Sequence, residues 1–214
     1  MSKKKSFFIL FLSLKMLNLQ AQAREKIRFK PHFSQTTSMG VAIPIGNLAA
    51  KNKFGFHSAT VVEADVSPQF FIRLAWDFFQ LRYTEKVAIG NQFMDVGSNN
   101  NGNAFYLSVG YQKAIKEWKY YGFLGSGLTL LNDPKLETVI LDNARFTYLS
   151  NQNVQGFSVN LGIGVAYKLS NIEQVKIETN FFNLPNLENS AYLSLQLGYH
   201  LYLNNPKNTL FLTH

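Results

Sequence analysis

The stretch 156-GFSVNLGIGVAYKL-169 decides the fold. Its odd positions (Phe157, Val159, Leu161, Ile163, Val165, Tyr167, Leu169) are apolar or aromatic. Its even positions (Ser158, Asn160, Gly162, Gly164, Ala166, Lys168) are polar or small. A second stretch, 191-AYLSLQLGYHLYL-203, does the same, with Leu193, Leu195, Leu197, Tyr199, Leu201 and Leu203 against Ser194, Gln196, Gly198 and His200. A period of two is the signature of a strand with one apolar and one polar face. Soluble strands average ~5–6 residues, whereas a strand that crosses a bilayer needs ~9–11. These two runs exceed both lengths, which favours membrane strands over a soluble sandwich.

Working outward, residues 105–112 and 175–182 alternate in the same way. Residues 37–46 place Met39, Val41, Ile43 and Ile45 on one side, with Pro44 expected at a rim or bulge because it lacks an N–H. Residues 70–78 send Phe70, Ile72, Leu74, Trp76 and Phe78 one way. Leu81 and Tyr83 break that register and predict a bulge near Phe79. Residues 120–130 and 56–66 complete a set of eight. Short links (66–69, 114–118, 170–173) alternate with longer ones (47–55, 84–103, 132–155, 185–190) that are rich in Asn, Gly, Lys and Asp. Short turns at one end and long loops at the other form the outer-membrane barrel pattern. The expectation is an all-β chain: an eight-stranded antiparallel up-and-down transmembrane β-barrel. The apolar pieces 138–141 and 146–149 in the long link 132–155 fit either a loop hairpin or extended strand ends, and a ten-strand count would require them to span as well. A soluble lipocalin-like barrel would need the opposite facing, with the apolar sides inward.

Composition agrees. Charged residues make up 16% of the 214, against ~25% in an average soluble protein, and a lipid-facing belt needs none. The absence of cysteine excludes disulfides, thiolate metal sites and a cysteine nucleophile. The formal charge is +8, but Lys3, Lys4, Lys5 and Lys15 lie in the first 23 residues, leaving 17 basic against 13 acidic residues beyond them. That scattered excess does not point to nucleic acid.

Residues 1–23 read as a Sec signal peptide: a lysine-rich start, the apolar run FFILFLSL at 7–14, and the small-x-small site Ala21-Gln22-Ala23. The barrel domain would then occupy 24–214. With an even number of strands, both mature termini lie in the periplasm and the long loops face outside.

On the inward face Glu63 and Arg73 are expected opposite each other, joined by Asp65, Asp77, Lys168, Lys176 and Glu178. Eight strands enclose a space that side chains fill, so these charges read as a salt-bridged plug, with a proton or ion path as the alternative. Gly125, Gly127, Gly162, Gly164 and Gly198 on that face leave room for large neighbours. Tyr111, Tyr167 and Tyr199 face outward near the short-turn ends, as an aromatic girdle would.

On these residues the chain resembles the small outer-membrane β-barrel family, the porin-like "outer membrane protein beta-barrel domain" group, over residues 33–203. The resemblance implies an integral protein of the Gram-negative cell outer membrane. Its partners would be lipopolysaccharide and phospholipid, together with the outer-membrane assembly machinery during biogenesis. It would be a monomer without cofactor. Gln196, Gly198, Leu201 and Leu203 resemble the assembly signal of the last strand, followed here by a tail of 11 residues.

Residues 180–199 also resemble the end of the lipid A deacylases, in Asn183, Pro185-Asn186 and Leu197-Gly198-Tyr199. Where that family has His and Ser, this chain has Thr179, Asn180, Phe181 and Phe182. His57 and Ser58 are adjacent, so their side chains should point to opposite faces. The four histidines suggest no metal site. The expected role is non-enzymatic: structural, surface-binding or porin-like.

Overall fold

The computed structural model describes residues 31–89, 92–95, 97–141, 144–184 and 190–204. The proposed signal segment, including Ala21 and Ala23, and most of the tail lie outside the described residues. Ten strands and one short helix follow in order: β1 (His32–Gly46), α1 (Asn47–Lys51), β2 (Asn52–Asp65), β3 (Phe70–Tyr83), β4 (Lys86–Ile89), β5 (Gln92–Asp95), β6 (Asn99–Ile115), β7 (Trp118–Leu141), β8 (Ala144–Lys168), β9 (Glu173–Leu184) and β10 (Ser190–Tyr202).

Eight of them close a ring in the order β1-β10-β9-β8-β7-β6-β3-β2, each antiparallel to both neighbours. β1 and β10 seal it through thirteen register pairs from Ser34↔Tyr202 to Gly46↔Ser190. The remaining pair, β4 and β5, forms a separate small sheet within the long link between β3 and β6. The barrel count is therefore eight, and the apolar pieces near 138–141 and 146–149 add no further staves. They extend β7 and β8, which stay paired as far as Leu141↔Ala144. Residues 132–141 and 144–155 are thus the ends of two long strands, one of the two forms expected for that link.

Two other expectations are corrected. Residues 99–103, read as loop from their asparagines, belong to β6 and pair with β3 from Arg82↔Asn99 onward. β3 has no bulge near Phe79: its register with β6 is unbroken, and Phe79, Leu81 and Tyr83 continue the buried positions. The sequence break arose because inward residues turn from polar to apolar there. The irregularity lies on β2, between Lys53 and Phe56. Pro44 sits where an absent N–H costs least. It pairs with Tyr192 on β10, while the described pairing of β1 with β2 ends at Ala42↔Gly55.

The facing is inverted relative to a soluble barrel. Leu161, Ile163, Leu195 and Leu197 are 53–63% exposed, whereas Ser158, Asn160, Gln196 and His200 are at most 2% exposed. The lumen has two unlike storeys. Toward the short turns it holds ionic side chains. Toward the long links it holds an apolar cluster of Phe79, Leu81, Tyr106, Leu131, Phe182 and Tyr192, together with Leu48 from α1. Gly46, at φ 66°, turns the chain from β1 into α1 and so helps to bring Leu48 there.

Candidate functional site

The charged storey is built upward from glycine. Gly162 and Gly164 on β8 lie directly across from Phe123 and Tyr121 on β7. A Cβ at Gly162 would come within 2.2 Å of the Phe123 ring, and one at Gly164 within 2.4 Å of the Tyr121 ring. Only a bare backbone lets the two rings lie against the wall. Held there, Phe123 receives the Arg73 guanidinium at 4.1 Å from its centroid. The Tyr121 hydroxyl donates to Glu178 Oε2 at 2.9 Å.

Glu63 and Arg73 are register partners on β2 and β3, as the alternation implies. Their hydrogen-bonded ion pairs run elsewhere, across the lumen to β9. Arg73 grips Glu178 with both terminal nitrogens, at 2.9 and 2.7 Å. Lys176 Nζ donates to both oxygens of Glu63, at 2.6 and 3.1 Å. Asn180 adds a third donor to Glu178, at 2.8 Å. A bidentate guanidinium–carboxylate pair with further donors is the arrangement in which buried ions recover what they lose in hydration.

His200 lies beside this network, its Nδ1 at 2.8 Å from Thr36 Oγ1 and 3.8 Å from Glu63 Oε1. Asp65 accepts from Gln112 Nε2 at 3.0 Å. Asp77 stands one storey higher, with Oδ1 3.5 Å from Nε2 of His57. Lys168 is half-buried at the last position of β8, where its backbone N–H donates to Glu117. The structure brings Glu63, Arg73, Lys176 and Glu178 together and leaves Lys168 at the rim.

Several inward residues were missed by sequence reasoning. Lys119 is buried, with Nζ 3.4 Å from the Tyr202 hydroxyl. Lys119 and Tyr121 share the odd parity of Gly125, Gly127 and Thr129, so extending that alternation three steps back would have found both. Above the ring of apolar exterior residues, Asp133 on β7 accepts from Asn100 Nδ2 at 2.9 Å. Burial holds its carboxyl above the ordinary carboxylate range.

On the outside, Tyr111, Tyr167 and Tyr199 are all exposed near the short-turn end. Tyr111 packs edge-on to Phe70, Tyr167 lies against Trp118, and Tyr199 donates to Glu173 at 2.6 Å. In β10, Gln196 is buried and accepts from Ser38 Oγ at 2.5 Å, and Gly198 pairs with Ser38 in register. Leu201 is half-buried, Leu203 is exposed, and the Leu203 N–H donates to Phe33.

Among the described residues, His57 and Ser58 point to opposite faces, as their adjacency implies. His57 is fully buried beside the stacked rings of Phe182 and Tyr192, while Ser58 shares the outer face with Met39. Among the described residues, no group of three acidic or histidine side chains is placed to hold a metal ion.

With this geometry in view, the barrel is similar to the crystal structure of Neisserial surface protein A, at TM-score 0.53 and 12% identity, covering 81% of this chain and 99% of that one. The fold is that of the small eight-stranded outer-membrane barrels. Further similar structures include Ail, the attachment invasion locus protein of Yersinia pestis, in complex with the heparin analogue sucrose octasulfate (TM-score 0.46, 12% identity, 79% of this chain and 97% of that one). Another is the N-terminal β-barrel domain of OprF from Pseudomonas aeruginosa (0.43, 14%, 79% and 97%). No family model and no curated protein matches the chain.

Proposed function

We propose that this chain is an integral, monomeric outer-membrane protein of a Gram-negative bacterium. It is exported by the Sec pathway after cleavage behind Ala23, with both mature termini in the periplasm. It has no catalytic step, and its role is structural or surface-binding through the long-link end. The observation that carries this reading is the inverted facing. A closed ring satisfies its backbone internally, which hydrocarbon demands. Its exterior presents Met39, Leu74, Leu107, Leu128, Phe157 and Ile177 in numbers that water would not tolerate on a monomer.

The filled lumen supports binding over transport. Ion pairs close the lower storey and stacked rings close the upper one. The rings of Phe182 and Tyr192 lie parallel within 11° at 4.4 Å, with Phe79 4.3 Å from Tyr192.

The test is fractionation combined with gel migration. The protein should co-sediment with outer membranes and migrate differently unboiled and boiled. In planar bilayers the folded barrel should be electrically silent. Recovery in the soluble periplasm would end the membrane reading, and steady single-channel currents would replace the binding role with that of a small pore.

A further inference from the structure

We propose that Lys53 and Arg82 form a docking surface, on the outer flank of the barrel, for the phosphorylated saccharide headgroup of an outer-leaflet glycolipid. The inference rests on the membrane reading and on the long links facing outside. The register of β2 with β3 sets Lys53 directly opposite Arg82, and both are exposed. Like charges placed opposite each other on a sheet repel. Neither residue has a carboxylate partner among the described residues. An anion between them would turn the repulsion into attraction.

Their height on the wall identifies the anion as a headgroup. On the same outer face the rows below Lys53–Arg82 are Phe56–Gln80, Ser58–Phe78 and Thr60–Trp76. Phe56 and Trp76 are exposed in the apolar belt, and Phe54, at the β2 irregularity, is 69% exposed. Two residues of strand rise ~7 Å, so Arg82 stands about that far along β3 above the Phe56–Gln80 row, with the exposed Phe54 ring beside Lys53 marking the boundary. The irregularity on β2 falls between Lys53 and Phe56, which re-aims the strand at that boundary.

The neighbours on β6 select the kind of headgroup. Asn99 is the register partner of Arg82, and Asn101 that of Gln80. Uncharged carboxamides beside a cation pair suit a ligand that offers hydroxyls as well as phosphate. That describes a phosphorylated sugar better than a simple phosphodiester. Arg82 can take two phosphate oxygens in its planar fork, while Lys53 acts as a point charge.

The experiment titrates the folded, detergent-solubilised barrel with bisphosphorylated lipid A, phosphate-free lipid A and phosphatidylglycerol, with native mass spectrometry as readout. The double variant Lys53→Gln/Arg82→Gln should lose about tenfold or more in affinity for bisphosphorylated lipid A. Phosphate-free lipid A and phosphatidylglycerol should bind both proteins weakly and alike. Both substitutions are on the exposed surface, and unboiled gel migration checks folding. The swap Lys53→Arg/Arg82→Lys should keep binding.

Equal affinity of the wild type and the glutamine variant for bisphosphorylated lipid A overturns the proposal. So does a loss for phosphatidylglycerol as large as that for lipid A, which would reduce the site to a general anionic-lipid contact. A barrel that fractionates with the outer membrane but shows either result fails only this inference. One that does not reach the membrane fails the proposed function itself.

Discussion

The two storeys of the lumen are closed by opposite physics. Toward the short turns, Arg73, Glu178, Glu63 and Lys176 are buried ions, and each finds its partner across the lumen. Toward the long links, Phe79, Phe182, Tyr192 and Tyr106 pack ring against ring as in the core of a soluble protein. The ionic storey is directional: each charge depends on one or two named atoms, and removing one leaves another stranded. The aromatic storey is held by area and shape, where loss is graded. One inward face can therefore carry two different kinds of core, and alternation alone does not say which.

The sharpest way to break that contrast is to remove one ion. Glu178→Ala leaves Arg73 buried without its bidentate partner and should cost about 3–5 kcal/mol, read as the shift in urea midpoint for the barrel in lipid vesicles. Adding Arg73→Met should return most of that loss, because the stranded charge goes with its partner. If the double variant is no more stable than the single one, the cost of Glu178→Ala comes from packing, and the storeys differ less than their chemistry suggests.

Next in size is the glycine wall under the ionic storey. A Gly162→Leu side chain would enter the space occupied by the Phe123 ring and the Asn180 amide. Overpacking of that kind costs typically ~1–3 kcal/mol. Because Phe123 carries the Arg73 guanidinium over its ring, the same substitution should disturb the Arg73–Glu178 pair. Combining it with Glu178→Ala should then give less than the sum of the two single losses. Strict additivity would mean that ring and ion pair are independent.

Much of this was readable in the sequence. The eight staves, the outward side of each long run and the inward charges all follow from period two, because a one-residue slip would reverse every side chain. The partners of those charges were not readable. Glu63 and Arg73 face each other on adjacent strands, yet both turn to β9, a choice made by lumen width and side-chain reach. The apolar storey was hidden for a related reason. Phe79, Leu81 and Tyr83 are inward but apolar, so a rule that equates inward with polar reads them as a register break. The asparagines at 99–103 mislead in the same direction. A strand above the apolar belt is free to be polar on both faces, and its composition then resembles a loop.

The smallest expected effect tests the aromatic storey from within. Tyr192 is fully buried between Phe79 and Phe182, and its hydroxyl has no hydrogen-bond partner among the described residues. A buried hydroxyl without a partner loses its hydration and gains nothing in return. Tyr192→Phe keeps the stacked ring and removes that debt, so it should stabilise the barrel, by about 1 kcal/mol or less. The sign is the decisive feature. A gain means Tyr192 is held in this storey by ring contact alone, in contrast to the ions of the storey below, where no partner can be spared. A loss of about the same size would mean that the hydroxyl is hydrogen-bonded after all, and that polar bonding runs continuously through both storeys of the lumen.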